Sequence, residues 1–212
     1  MTPQHHPSDA LLVEYASGVL TNGPRLVIAS HLGACPACAA SVALAEAVGG
    51  LLLEDLPPAE LQPDALALAL ARIDRPPAPR GPAPPRPSDW IQVPAEVLLA
   101  LKDSGRRWAP GAWISPVSKG PGKARTYLLG MAAGRGVPRH THTGREMTCV
   151  VKGFFLDDGV LYGPGDFTEH DGSVKHAPQA TDDGDCVCLM AVASPLAPTD
   201  WLGRVVLPLL GF

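Results

Sequence analysis

Residues 134–153 read GRGVPRHTHTGREMTCVVKG, a stretch bracketed by glycines in which His140, His142 and Glu146 are separated by two and four positions. Side chains alternate across a strand, so residues at even separations share a face, and in a closed sheet that face can be the interior. Two imidazoles and a carboxylate converging there form a ligand set for Zn, Fe, Mn or Ni, among which residue types alone do not choose. The surrounding sequence supports a sheet. TYLLGMA (126–132), EMTCVVKGFFL (146–156), VLYGPGDF (160–167) and CVCLMAVA (186–193) are short apolar runs separated by Gly, Pro and Asp, the pattern of an antiparallel sandwich or barrel.

The spacing Gly134-x5-His140-x-His142-x3-Glu146-x6-Gly153 resembles the first cupin motif at every position. Gly165-Asp166-x3-His170-x-Gly172-x3-His176 is similar to the second, with His170 where that family has proline and with a final spacing one residue longer. The resemblance implies a cupin barrel with one divalent metal, zinc by preference, on His140, His142, Glu146 and His176. His170 is the alternative fourth ligand. Cys186, Cys188 and Met190 share one strand face; turned inward, they place oxidisable sulfur near the metal, and otherwise they pack a core. Cys149 lies three positions from Glu146, so it points away from the ligands and is read as packing.

Working back towards the N-terminus, RPPAPRGPAPPRPS (75–88) is half proline. Proline excludes a helix interior or a central strand, so this is a linker, able in polyproline II form to act as a semi-rigid spacer of several nanometres. The expected organisation is residues 1–75, a linker at 76–89, and residues 90–212, which hold all four tryptophans (Trp90, Trp108, Trp113, Trp201).

The first segment reads as about four helices. Ser8 or Asp9 caps a helix whose Leu11, Leu12, Tyr15, Ala16 and Val19 share a face, ending near Leu20. Thr21-Asn22-Gly23-Pro24 opens a second towards Gly33, and Pro36 a third, expected to stop at Gly49-Gly50. ALALALARID after Pro63-Asp64 alternates like a strand but is built of strong helix formers, so a fourth helix is expected. These helices carry more apolar residues than a small core needs, as a larger local core or as a partner-binding face.

Within this segment His31-x3-Cys35-x2-Cys38 spans a helix end and the start of the next helix. Zinc takes four tetrahedral N and S donors, and His5 or His6 is the available fourth. A complete set would clamp the chain start to the helix corner and link folding to metal. HxxxCxxC in a small acidic helical domain resembles the zinc-binding domain of bacterial anti-sigma factors. That resemblance implies zinc on His6, His31, Cys35 and Cys38, and binding of an extracytoplasmic-function-type sigma factor that blocks its access to core RNA polymerase.

The whole chain, from HHPSDALLVEYASGVL (5–20) to the late Cys-x-Cys, is similar to the ChrR-type anti-sigma factors. This implies a cytoplasmic repressor in a 1:1 complex with its sigma factor, inhibitory through its N-terminal domain and released by singlet oxygen or related oxidants through its cupin domain. Composition agrees. Residues 1–75 hold eight Asp and Glu against three Arg, which argues against direct nucleic-acid binding. No basic n-region with an apolar stretch opens the chain, and no apolar run is expected to reach membrane-span length. The competing class is a metal-dependent cupin enzyme, dioxygenase-like, with an accessory zinc domain; the attached helical domain favours the non-enzymatic reading.

Overall fold

The computed structural model describes residues 2–74, 85–102, 105–194 and 197–199; residues 75–84, which hold most of the expected linker, and Trp201 lie outside these. Four helices come first: α1 (Asp9–Ala16), α2 (Asn22–Leu32), α3 (Pro36–Glu54) and α4 (Ala65–Ile73). The Ser8 hydroxyl accepts from the Leu11 N–H at 3.3 Å and caps α1, Gly33 follows the end of α2, and Pro36 opens α3. Each of these is a local signal that the structure obeys.

The expected stop at Gly49-Gly50 does not occur. A glycine ends a helix by taking the left-handed conformation, and neither residue has a positive φ. The strong helix formers Leu51, Leu52, Leu53 and Glu54 carry α3 onward instead. Joining the two halves also gives α3 19 residues and a mean hydropathy of 1.7 over its most apolar window, long and apolar enough to cross a membrane by those measures alone. The expectation that no run reaches span length failed because it treated the glycines as a break.

A short helix, α5 (Ala95–Leu99), and a 3-10 turn (Ala100–Lys102) lead into twelve strands among the described residues, all paired antiparallel. The main sheet has the order β1 (Arg107–Ala109), β2 (Ala112–Lys119), β3 (Arg125–Met131), β11 (Cys186–Val192), β5 (Glu146–Lys152), β8 (Phe167–His170). One small sheet joins β10 (Gln179–Ala180), β6 (Phe155–Asp157) and β7 (Val160–Tyr162). Another joins β12 (Ala197–Pro198), β4 (His140–Thr141) and β9 (Lys175–His176). Together they form the cupin barrel.

The main sheet is apolar on both faces, and every residue of β11 is buried. Cys188, Met190, Leu129 and Val150 fill the interior. The opposite face, with Leu128, Met147, Cys149 and Leu189, belongs to one core with Leu11, Val27 and Ile28 of the N-terminal helices. An antiparallel sheet with one wet face alternates apolar and polar residues; this one does not, because α2 lies across β5 and β11. The helical unit is therefore laid directly on the barrel. Among the described residues the two units are in contact rather than held apart, because the outer apolar face of the sheet is covered by α2.

Candidate metal centres

In the helical unit, ligand atoms of His6, His31, Cys35 and Cys38 lie within 4.8 Å of one another. Nδ1 of His6 is 3.5 Å from the sulfur of both Cys35 and Cys38. The turn after α2 and the N-terminus of α3 place the two cysteines, with the Cys35 N–H bonded to the His31 carbonyl at 2.8 Å. His31 is fully buried; its Nδ1 meets the Gly165 carbonyl at 2.7 Å, while its Nε2 has no protein partner. His5, the other candidate from sequence, turns away to pack at a tilt against the Tyr162 ring, centroids 4.4 Å apart, and contact the Leu161 carbonyl.

This donor set fits a tetrahedral metal ion. Burial pushes His31 below its ordinary value, despite the Gly165 bond, and keeps it neutral; burial and the neighbouring Cys35 push the Cys38 thiol up to about 11. A pair of buried thiols with an orphaned imidazole nitrogen is an arrangement that a bound cation satisfies, by taking the nitrogen lone pair and stabilising the thiolates.

In the barrel, ligand atoms of His140, His142, Glu146 and His176 also lie within 4.8 Å of one another, and all four residues are buried. Strands β4 and β9 pair His140 directly with His176. Nδ1 of His140 contacts the Pro138 carbonyl at 2.9 Å, which aims an otherwise unpartnered Nε2 at the cluster. Nε2 of His142 lies 2.9 Å from Nε2 of His176, and Nδ1 of His142 lies 3.3 Å from Glu146 Oε2. Neither oxygen of Glu146 has a hydrogen-bond partner. Burial raises Glu146 to about 8, helped by Asp157, and lowers His140 to about 4 and His142 to about 3. Four orphaned or mutually crowded ligand atoms in a dry interior fit a divalent ion.

Asp157 was not foreseen. Its Oδ2 lies 2.7 Å from Nδ1 of His176 and 3.5 Å from Nε2 of His170. Desolvation would raise it, but hydrogen bonds from His170 and His176 hold it well below the usual carboxylate range. Such a carboxylate fixes the tautomer and aim of a ligating histidine. No motif position announced it, since β6 meets β9 only in the folded barrel. His170 is placed beside Asp157 and bonded to Thr168 at 2.8 Å, outside the four-residue cluster.

Cys186 and Cys188 do face inward, 3.7 Å apart at sulfur. Cys188 and Met190 line a cavity of about 20 Å³ with Glu146, Thr148 and His176. Cys149 is on the opposite face, as alternation required.

Fold and site together define a protein in which a small helical His/Cys unit is built onto a cupin barrel carrying a His/Glu cluster. The sequence model of the ChrR cupin-like domain family matches residues 104–195. The chain is 37% identical to the anti-sigma-E factor ChrR of Cereibacter sphaeroides, over 98% of each chain. It superposes with a TM-score of 0.75 on a chain of the crystal structure of Rhodobacter sphaeroides SigE in complex with the anti-sigma ChrR, at 37% identity, covering 90% of this chain and 100% of that one. The chain belongs to the ChrR family of anti-sigma factors.

Proposed function

We propose that the chain sequesters an extracytoplasmic-function-type sigma factor, one to one in the cytoplasm, and thereby keeps it from core RNA polymerase. What carries this is apolar surface left without cover in a chain so similar to an anti-sigma factor. In α3, Leu44, Val48, Leu51 and Leu52 are exposed, and α4 has no buried residue, with Leu66, Leu70 and Ile73 all facing out. Apolar helix faces of this kind bury in a partner's grooves. The negative charge of residues 1–75 fits a protein partner and opposes nucleic acid.

In this reading residues 1–75 are the anti-sigma domain, 76–89 the linker and 90–212 the cupin domain. His6, His31, Cys35 and Cys38 hold zinc as a clamp on the inhibitory surface. His140, His142, Glu146 and His176 hold one divalent metal, zinc by preference, where singlet oxygen or a related oxidant acts to release the sigma factor. When bound, that metal supplies a polarising centre beside the Cys188 and Met190 sulfurs.

The competing reading is a metal-dependent cupin enzyme. A cavity with space for about 20 Å³ beside the His/Glu cluster holds about one water, which suits a small diffusible oxidant. Co-purification with candidate sigma factors, competition against core polymerase, and metal content of the chain test the proposal. A metal-loaded chain that binds no sigma factor and leaves polymerase assembly unchanged would overturn it.

A further inference from the structure

The turn between β7 and β8 of the barrel reaches across to the His/Cys site of the helical unit. Its Gly165 carbonyl accepts from Nδ1 of His31 at 2.7 Å. Its Asp166 carboxylate, 5% exposed, accepts through Oδ1 from the N–H groups of Gln4 at 2.6 Å and His5 at 3.0 Å, and through Oδ2 from Gly163 at 2.7 Å. The Phe167 N–H then donates to the His5 carbonyl at 3.0 Å. These bonds hold both sides of the cluster, the His31 ring and the segment that carries His6.

The fit leaves no slack. Gly165 has φ +91°, and a Cβ there would lie 2.8 Å from both the Ala34 side chain and Pro3, so only glycine lets the turn approach.

We infer that Gly165 and Asp166 of the cupin domain are positioning residues for the N-terminal metal site: the barrel supplies the hydrogen bonds that aim His31 and set the segment bearing His6. This rests on the reading of His6, His31, Cys35 and Cys38 as that site. A histidine ligand whose second nitrogen is fixed by a carbonyl binds metal more tightly and in one tautomer. The same turn runs into β8, where Thr168 lines the barrel cavity and His170 contacts Asp157. Linkage then requires that any cupin state that shifts this turn weakens the N-terminal site, and that metal there opposes that state.

Full-length chains carrying Asp166→Ala, Asp166→Asn or Gly165→Ala provide the test. Zinc release to a chelator is measured together with the alkylation rates of Cys35 and Cys38, read by peptide mass, and with cupin metal content and melting temperature. Asp166→Ala and Gly165→Ala are expected to release zinc and expose both thiols about 10- to 100-fold faster, with cupin metal retained. Asn keeps one acceptor oxygen for Gln4 and His5 and should fall between Ala and the unaltered chain. Zinc that protects both thiols equally in the unaltered chain, Asp166→Ala and Gly165→Ala overturns the inference while leaving the metal site standing. Thiols that zinc never protects, even in the unaltered chain, overturn the site and the inference with it. Loss of cupin metal and folding in Asp166→Ala shifts the decision to Gly165→Ala, whose added methyl group faces the helical unit.

Discussion

The Asp157 carboxylate lies 2.7 Å from Nδ1 of His176, on the side of the ring away from Glu146 and His142. That geometry makes Asp157 the residue that turns His176 towards the cluster. Asp157→Ala should lower metal affinity of the barrel about 10- to 100-fold, measured by competition with a chromogenic chelator. His170→Ala, which leaves the Asp157–His176 bond in place, should cost much less. Equal losses for the two would reassign His170 as a ligand.

Metal removal should make the barrel sensitive to pH on both sides. In the metal-free chain the folded state keeps Glu146 protonated up to about pH 8, whereas an unfolded glutamate ionises near its model value of 4.5. The folded state then binds more protons, so this group's contribution falls as pH rises from about 4.5 to 8. His140 and His142, lowered to about 4 and about 3, act oppositely: the unfolded state takes up protons below 6.5, and stability falls with pH from there. Thermal melts of the chelated chain should therefore fall off on either side of a maximum. Metal binding near neutral pH should release a proton from Glu146, detectable as a buffer-dependent binding enthalpy.

Replacing His140, His142, Glu146 or His176 with Ala should leave sigma-factor binding intact but abolish release by singlet oxygen. Cys35→Ser or Cys38→Ser should instead abolish binding. A normal oxidant response in all four barrel variants would remove the cupin metal from the mechanism.

Leu51→Asp and Leu66→Asp change residues that are 64% and 72% exposed. On the isolated chain each should move stability by no more than about 0.5 kcal/mol. Sigma-factor capture, followed by co-purification, should drop steeply if α3 and α4 form the docking face. Full capture by both variants would place that face elsewhere.

Ile28 is completely buried where α2 meets the sheet. Ile28→Ala should cost about 2 to 5 kcal/mol. Because the core is shared, calorimetry should show the helical unit and barrel melting together. Two transitions, with only the first lowered by the substitution, would mean that the halves fold independently.

Local signals accounted for much of this protein. Caps and prolines marked where α1, α2 and α3 begin, and the strong helix formers of residues 65–73 outweighed their strand-like alternation. Spacing pointed to both clusters, although His140 and Glu146 fall on two strands, β4 and β5, with His142 in the connection between them rather than on one strand face. Ligands a few residues apart across such a connection or around one helix start have few ways not to converge. The unbroken apolar run at β11 also carried a message that its length alone did not convey: a strand without alternation must be covered on both faces.

By itself the sequence pointed to two candidate ligand clusters, the order of helices before strands and the family likeness, since each depends on residues close in the chain or on motif spacing. Only the tertiary structure decided that His6 joins His31, Cys35 and Cys38 while His5 packs against Tyr162. It also decided that Asp157 contacts His176, and that the barrel's Gly165 and Asp166 hydrogen-bond to His31 and to the segment bearing His6. These choices join groups from 19 to 161 positions apart. The contacts of Gly165 and Asp166 follow from burying the outer face of the sheet beneath α2, and that of Asp157 from closing the barrel around His176. An apolar run shows that a face needs cover but not which residues the cover brings together.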